Sequence, residues 1–262
     1  MGAVLFGLST LVVAFSLAGT WALANLDVPD ADYDRLSQAL GVTNIVLASG
    51  ACMVWLWAAN GARTAVALLL LCAVIGGTVE AVGVATGVPF GEYSYTDQLG
   101  PKLGGVLPAV IPLAWFMMMY PALHVARRTR LSVPGKAALA GLAMVTWDLV
   151  LDPAMTAGAR AWEWRAGGIY YGIPSQNFLG WFLTAFILAL ACLPLLGKAP
   201  ADRSGMPIAL YLVQSLFPAL LAVLYGRPLA AVAWLAALAV LWVLVRRYAP
   251  PAETVRRENG SA

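Results

Sequence analysis

Histidine occurs once in this chain, cysteine three times, and charged residues fill only 11% of its 262 positions. Each shortage excludes a chemistry. A lone histidine, His124, cannot supply the clustered imidazole ligands of a membrane di-iron hydroxylase or desaturase. Cys52, Cys72 and Cys192 all fall inside apolar runs without C-x-x-C spacing, so they read as packing residues rather than as a disulfide framework or a thiolate metal site. Lys102, Lys136 and Lys198 lie in loops or at helix ends, which leaves no mid-span lysine for a retinal Schiff base. No G-x-G-x-x-G follows a strand pattern, removing flavin- or nicotinamide-dependent redox chemistry. No D-D-x-x-D cluster is present to hold magnesium on a diphosphate, and no other metal site is read from the spacing. The sequence shows no tandem repeat. The net charge is +3, but its Lys and Arg residues sit in short loops and near the C-terminus, so no basic groove for nucleic acid is implied.

What is present in excess is apolar surface. With 61% hydrophobic residues, the polar surface is too small to clothe a water-soluble globule of this length, and lipid must cover the chain. Apolar runs near the roughly 20 residues needed to cross hydrocarbon predict an all-α, polytopic transmembrane helix bundle. Spans are expected at about residues 3–26, 37–59, 65–86, 105–125, 135–155, 175–196, 206–225 and 229–247. That makes eight, or seven if the last pair is not separated by its short Gly226-Arg227-Pro228 turn. The expected organisation is one helical domain, 1–250, and a polar C-terminal tail, 251–262. The apolar N-terminus is read as a retained first helix, with a cleaved signal peptide as the alternative.

The positive-inside rule orients the bundle. Of the sixteen Lys and Arg residues, eleven fall on one side: Arg63, Arg127, Arg128, Arg130, Lys136, Lys198, Arg203, Arg246, Arg247, Arg256 and Arg257. The other side holds Arg35, Lys102, Arg160, Arg165 and Arg227, together with the acidic first loop of Asp27, Asp30, Asp32 and Asp34. Both termini are therefore expected in the cytoplasm, with the chain in the cell membrane. His124 is expected at the cytoplasmic end of the fourth span.

Two long loops on the outer side, about 87–104 and 157–174, mix Gly and Pro with Tyr, Trp and carboxylates beyond what connectors need. An interfacial aromatic belt would account for the rings but not for the acids beside them. Glu80 stands about two thirds along the third span, where an ionised side chain costs about 2.5–3.5 kcal/mol, so it is expected to face protein. Gly76, Gly77, Gly83 and Gly87 around it would admit a neighbouring helix, Gly83 and Gly87 as a small-xxx-small pair. Its bland role is interhelical hydrogen bonding; its chemical role is a dry carboxylic acid that donates a proton. Asp148 and Asp152, four residues apart, share a helix face, and such close like charges resist joint ionisation. Asp152 precedes Pro153, a signal for a helix end, so a solvated terminus is the alternative there. All three acids and both loops fall at the same outer depth.

The stretches GEYSYTDQLGPKLGGVLPAVIPLAWFMMMYPA, WDLVLDPAMT and WEWRAGGIYYGIPSQNFLGW, with the span pattern, resemble the membrane carotenoid hydratase family, often called simply carotenoid biosynthesis proteins. The resemblance covers roughly residues 37–247. It implies addition of water to the terminal double bond of an acyclic carotenoid end group without a cofactor, on a C40 substrate such as lycopene or γ-carotene or on a C50 precursor of bacterioruberin. The product would be a tertiary alcohol, and substrate and lipid the partners; a homo-oligomer is left open. On that reading Asp148 or Glu80 delivers the proton, with Asp152 or Asp97 sharing its charge or activating water. Tyr93, Tyr95, Trp147, Trp162, Trp164, Tyr170 and Tyr171 would stabilise the cation with their π faces, and Gln176 and Asn177 would hold the water. The rival readings are a proton-coupled transporter, for which intramembrane acids are also expected, and a noncatalytic pigment-binding subunit.

Overall fold

The structure, a computed structural model, describes residues 1–25, 30–165, 167–197 and 204–250. Asp27, the side chains of Asp30, Asp32 and Asp34, Lys198, Arg203, Arg256, Arg257 and the tail 251–262 lie outside the described residues. The chain forms an all-α bundle: α1 Gly2–Asn25, α2 Asp30–Asn60, α3 Ala62–Leu71, α4 Gly77–Thr86, α5 Ile111–Arg127, α6 Val133–Ala157, α7 Ser175–Cys192, α8 Met206–Leu224 and α9 Pro228–Arg247. A π-helical turn, Cys72–Gly76, joins α3 to α4 in one rod. Seven of these rods are long and apolar enough to cross a membrane. The eighth, α5, is shorter than the span expected at 105–125, because residues 105–110 form a turn and a short strand, and its 17 residues are buried along most of their length by neighbouring helices. α2 also begins seven positions earlier than expected, so Asp30, Asp32 and Asp34 belong to its first turns rather than to a loop.

Three helices carry an interior proline, and each is repaired in the same way. Proline has no N–H, so the carbonyl four residues earlier loses its helical donor. Pro121 in α5 frees the Met117 carbonyl, which accepts from Cys52 Sγ of α2 at 3.5 Å. Pro153 in α6 frees Leu149, which accepts from the Tyr170 hydroxyl at 2.7 Å. Pro218 in α8 frees Gln214, whose carbonyl accepts from Trp147 Nε1 at 3.0 Å. Each repair comes from a different segment and ties it to the broken helix. A buried amide cluster adds a further tie: Ser9 Oγ donates to Asn44 Oδ1 at 2.7 Å, and Asn44 Nδ2 donates to Gln214 Oε1 at 2.9 Å, joining α1, α2 and α8.

At the end of the bundle away from Met1 and from the end of α9, the two long loops meet. Tyr93–Tyr95 (β1) pairs with Trp162–Trp164 (β4) as an antiparallel ribbon, in register Tyr93 to Trp164, Ser94 to Glu163 and Tyr95 to Trp162. Two-residue periodicity puts the four aromatic residues on one face of the ribbon and Ser94 and Glu163 on the other. The aromatic face is turned into the bundle. A shorter hairpin, β2 Lys102–Leu103 with β3 Leu107–Pro108, follows β1.

The repair at Leu149 is directly testable. Tyr170→Phe removes the hydroxyl donor and keeps the ring, leaving a buried carbonyl unpaired at a cost of about 1–3 kcal/mol. The expected outcome is a lower thermal midpoint in detergent with the helix content of the folded molecule unchanged.

Candidate active site beneath the aromatic ribbon

Under the ribbon lies a cavity of about 130 Å³. Its walls are mostly aromatic and aliphatic, and two carboxyl groups, those of Glu80 and Asp152, face into it. Glu80 reaches it from α4, one turn beyond the π-helical turn. Both of its carboxyl oxygens accept hydrogen bonds: Oε2 from the hydroxyls of Tyr93 at 2.5 Å and Tyr95 at 2.9 Å, and Oε1 from Trp115 Nε1 at 3.1 Å. Burial and then the adjacent Glu80 carboxyl hold both phenols well above their ordinary pKa, so they remain protonated donors.

Asp152 and Asp148 project from one face of α6 toward α7. The Asn177 side-chain amide donates to both, at 2.7 Å to Asp148 Oδ2 and 2.5 Å to Asp152 Oδ2. Trp162 Nε1 donates to the other Asp152 oxygen at 2.7 Å. Asp148 is 0% exposed and stands behind Asn177, outside the cavity wall, and its Oδ1 finds no hydrogen-bond partner among the described residues. The alternative of a solvated helix end at Asp152 is overturned: α6 runs through Pro153 to Ala157, and Asp152 is only 2% exposed.

Glycines near Glu80 make room for rings rather than for a neighbouring backbone. A Cβ on Gly76 would stand 2.7 Å from Trp115 Cγ, and one on Gly83 2.7 Å from Phe90 Cδ2. Phe90 is pinned from the other side by Gly180 of α7, where a Cβ would stand 2.8 Å from its ring. Gly87, expected in a small-xxx-small pair with Gly83, instead ends α4 with φ of 74°. Trp181 completes the wall, stacked on Trp115 with centroids 4.6 Å apart and edge-on to Trp147 at 5.7 Å.

The structure thus gathers Glu80, Asp152, Tyr93, Tyr95, Trp147, Trp162, Trp164 and Asn177 around one cavity, with Asp148 one layer behind. It does not gather the rest. Asp97 has a side chain 97% exposed and pairs with Lys102 at 2.8 Å on the outer surface. Tyr170 serves the Leu149 carbonyl, and Tyr171 lies under the Arg227 guanidinium at 5.3 Å. Gln176 donates to the Gly87 carbonyl at 3.1 Å, away from the cavity. Three of these four sit in the loops, where an ion pair, a backbone carbonyl and a guanidinium engage them. Reading the loops for aromatics missed Trp115, Trp181 and Phe90, and it missed Asn44 and Gln214, which line the same cavity. The two amides were findable as polar residues in mid-span, and Trp181 as the residue one turn beyond Asn177.

The sequence pattern of the carotenoid biosynthesis protein family matches residues 40–243, a stretch that contains every residue of this cavity. The chain belongs to that family. It is also 35% identical over 135 residues to the bisanhydrobacterioruberin hydratase of Haloarcula japonica. That match covers 49% of this chain and 43% of the relative, so the chain aligns with less than half of the relative's length. No solved structure matches the chain. For this family member, the ring seat between α4 and α7 makes a definite prediction. Gly180→Val forces Phe90 from its place against Gly83, overpacking the seat by about 1–3 kcal/mol, and the expected result is a lowered thermal midpoint with altered tryptophan fluorescence.

Proposed function

We propose that this chain is a carotenoid hydratase, adding water across the terminal C=C of an acyclic carotenoid end group to give a tertiary alcohol. One observation carries the reading: two carboxyl groups, each fixed by its own donors, face a largely aromatic cavity inside the helix bundle. The substrate would be of the lycopene, γ-carotene or bisanhydrobacterioruberin type, the last supported by the name of the Haloarcula relative. The setting would be the cell membrane, with both termini in the cytoplasm.

The chemistry follows from the reaction. Protonating the CH carbon of a trisubstituted terminal alkene forms a C–H bond and leaves a tertiary carbocation. Water then donates an electron pair to form the C–O bond and loses a proton. The net change is one water added, with no oxidant or reductant. The acid must lie on the cavity wall, which admits Asp152 and Glu80; the carboxyl of Asp148, joined to Asp152 through the shared Asn177 amide, resists joint ionisation and favours Asp152 as the proton donor. Asp148 and Asn177 then act as positioning residues, the amide setting one carboxyl against the other. Glu80 accepts three hydrogen bonds, the behaviour of a carboxylate, and is the group furnished to receive the proton lost by water. The faces of Trp115, Trp147, Trp181 and Trp164 would stabilise the cation by about 0.5–2 kcal/mol each.

The experiment is pigment analysis of a bacterial host that makes lycopene or its C50 counterpart and expresses the chain. A product heavier by one water and more polar than its precursor is expected. Asp152→Asn is expected to lower its formation by about 10²–10⁴-fold, with pigment still bound. Asp97→Asn should change it less than twofold. Conversion undiminished in Asp152→Asn and in Glu80→Gln would remove these acids from the reaction, and bound pigment without conversion by the wild type would mark a noncatalytic binding protein.

A further inference from the structure

A second cavity, of about 70 Å³, adjoins the first. Gly41, Asn44, Leu99, Met155 and Phe217 line both, so the two share a wall. It lies between α1, α2 and α8 at the loop end of the bundle, and its chemistry differs from that of its neighbour. Where the larger cavity is walled by rings, the smaller one carries the side chains of Ser16, Thr20, Ser37 and Gln98.

The hydroxyls on α1 are placed against the character of that helix. Val4, Leu8, Leu11 and Phe15 are exposed on its outer side, as lipid contact requires. Ser9, Ser16 and Thr20, spaced seven and four residues apart, fall on one face, turned inward. Ser9 is used in the amide cluster with Asn44 and Gln214. Ser16 donates its own proton to the Val12 carbonyl at 2.9 Å and so offers its oxygen as an acceptor. Asn44 stands where the two cavities meet, its amide fixed by Ser9 and Gln214. One water needs about 10–15 Å³ of such space and two to four polar partners. The smaller cavity has room for several and offers the partners; in the larger one the hydroxyls and amides are taken up by the acids and by one another.

We infer that the smaller cavity is a water vestibule, which supplies the nucleophile to the cation across the junction at Asn44. This rests on the hydratase reading, since that reaction consumes one water per turnover in a site whose rings would exclude bulk solvent. An apolar end group entering the larger cavity would seal it, and water would then arrive by a separate polar path. At the junction, the water's electron pair forms the C–O bond and its proton passes to the Glu80 carboxylate. Without that water, the cation can only return the proton it received.

The test uses the full chain in membrane vesicles, with Ser37→Cys and, separately, Ser16→Cys as small replacements that accept a polar methanethiosulfonate reagent after folding. The native Cys52, Cys72 and Cys192 are all fully buried, so wild type is the unlabelled control, and Asp97→Cys on the outer surface is the labelled one. Enzyme equilibrated in deuterium oxide is labelled and given carotenoid. The expected result is at least a tenfold loss of alcohol with pigment still bound, while deuterium continues to wash into recovered carotenoid at the carbon that is protonated. Alcohol formation unchanged at full labelling overturns the vestibule. So does failure of both vestibule thiols to label when Asp97→Cys does, because the cavity is then closed to water. Loss of alcohol and deuterium exchange together also overturns it, by placing the block at the acid. A wild type that makes no alcohol from any carotenoid supplied instead overturns the hydratase reading itself, whatever the thiols do.

Discussion

Hydrocarbon offers a polar group no partner, and most of this architecture follows from that constraint. A helix broken by proline in water can turn its freed carbonyl outward. Here the freed carbonyls of Met117, Leu149 and Gln214 must each find a donor inside protein, and they take Cys52, Tyr170 and Trp147. The prolines that weaken individual helices thereby specify which segments meet. Trp147 shows the coupling to the site: its indole N–H holds α8 while its ring forms part of the cavity wall.

The same constraint governs the acids. Glu80 sits in the bundle with three donors, and Asp148 and Asp152 share one amide, so carboxyl groups that would be costly in lipid are held by neighbours. Those neighbours come from α5, α7 and the aromatic ribbon. None is contributed by the helix that carries the acid. The acids are therefore positioned only when the whole loop end is assembled, which links folding of the ribbon to the chemistry beneath it.

The two sets of carboxyl groups are not equivalent. Donors surround Glu80 on both oxygens, whereas one oxygen of Asp148 has no partner among the described residues. Asp152 resembles Glu80 in having donors on both oxygens, so the unpartnered atom lies behind the cavity wall and the carboxyl groups that face the rings are held on both sides. Polar side chains gather next door, on α1 and α2.

Length and hydropathy alone determined the helical rods, because a membrane span must be both long and apolar, and the boundaries of most helices lie within a few residues of those read from the sequence. Glu80, Asp148 and Asp152 were legible because a carboxyl in an apolar run is costly wherever it packs. The sequence could not show that Tyr93, Tyr95, Trp162 and Trp164 form one face, since strand pairing joins loops almost seventy residues apart in the chain. Nor could it show that Asp97 faces outward, or that Trp115, Trp181, Asn44 and Gln214 border the acids. Those outcomes depend on which side of each helix meets another, and hydrophobicity, nearly uniform around these helices, does not distinguish one side from the next. Only the packed bundle, with its glycine seats for Trp115 and Phe90, decides that.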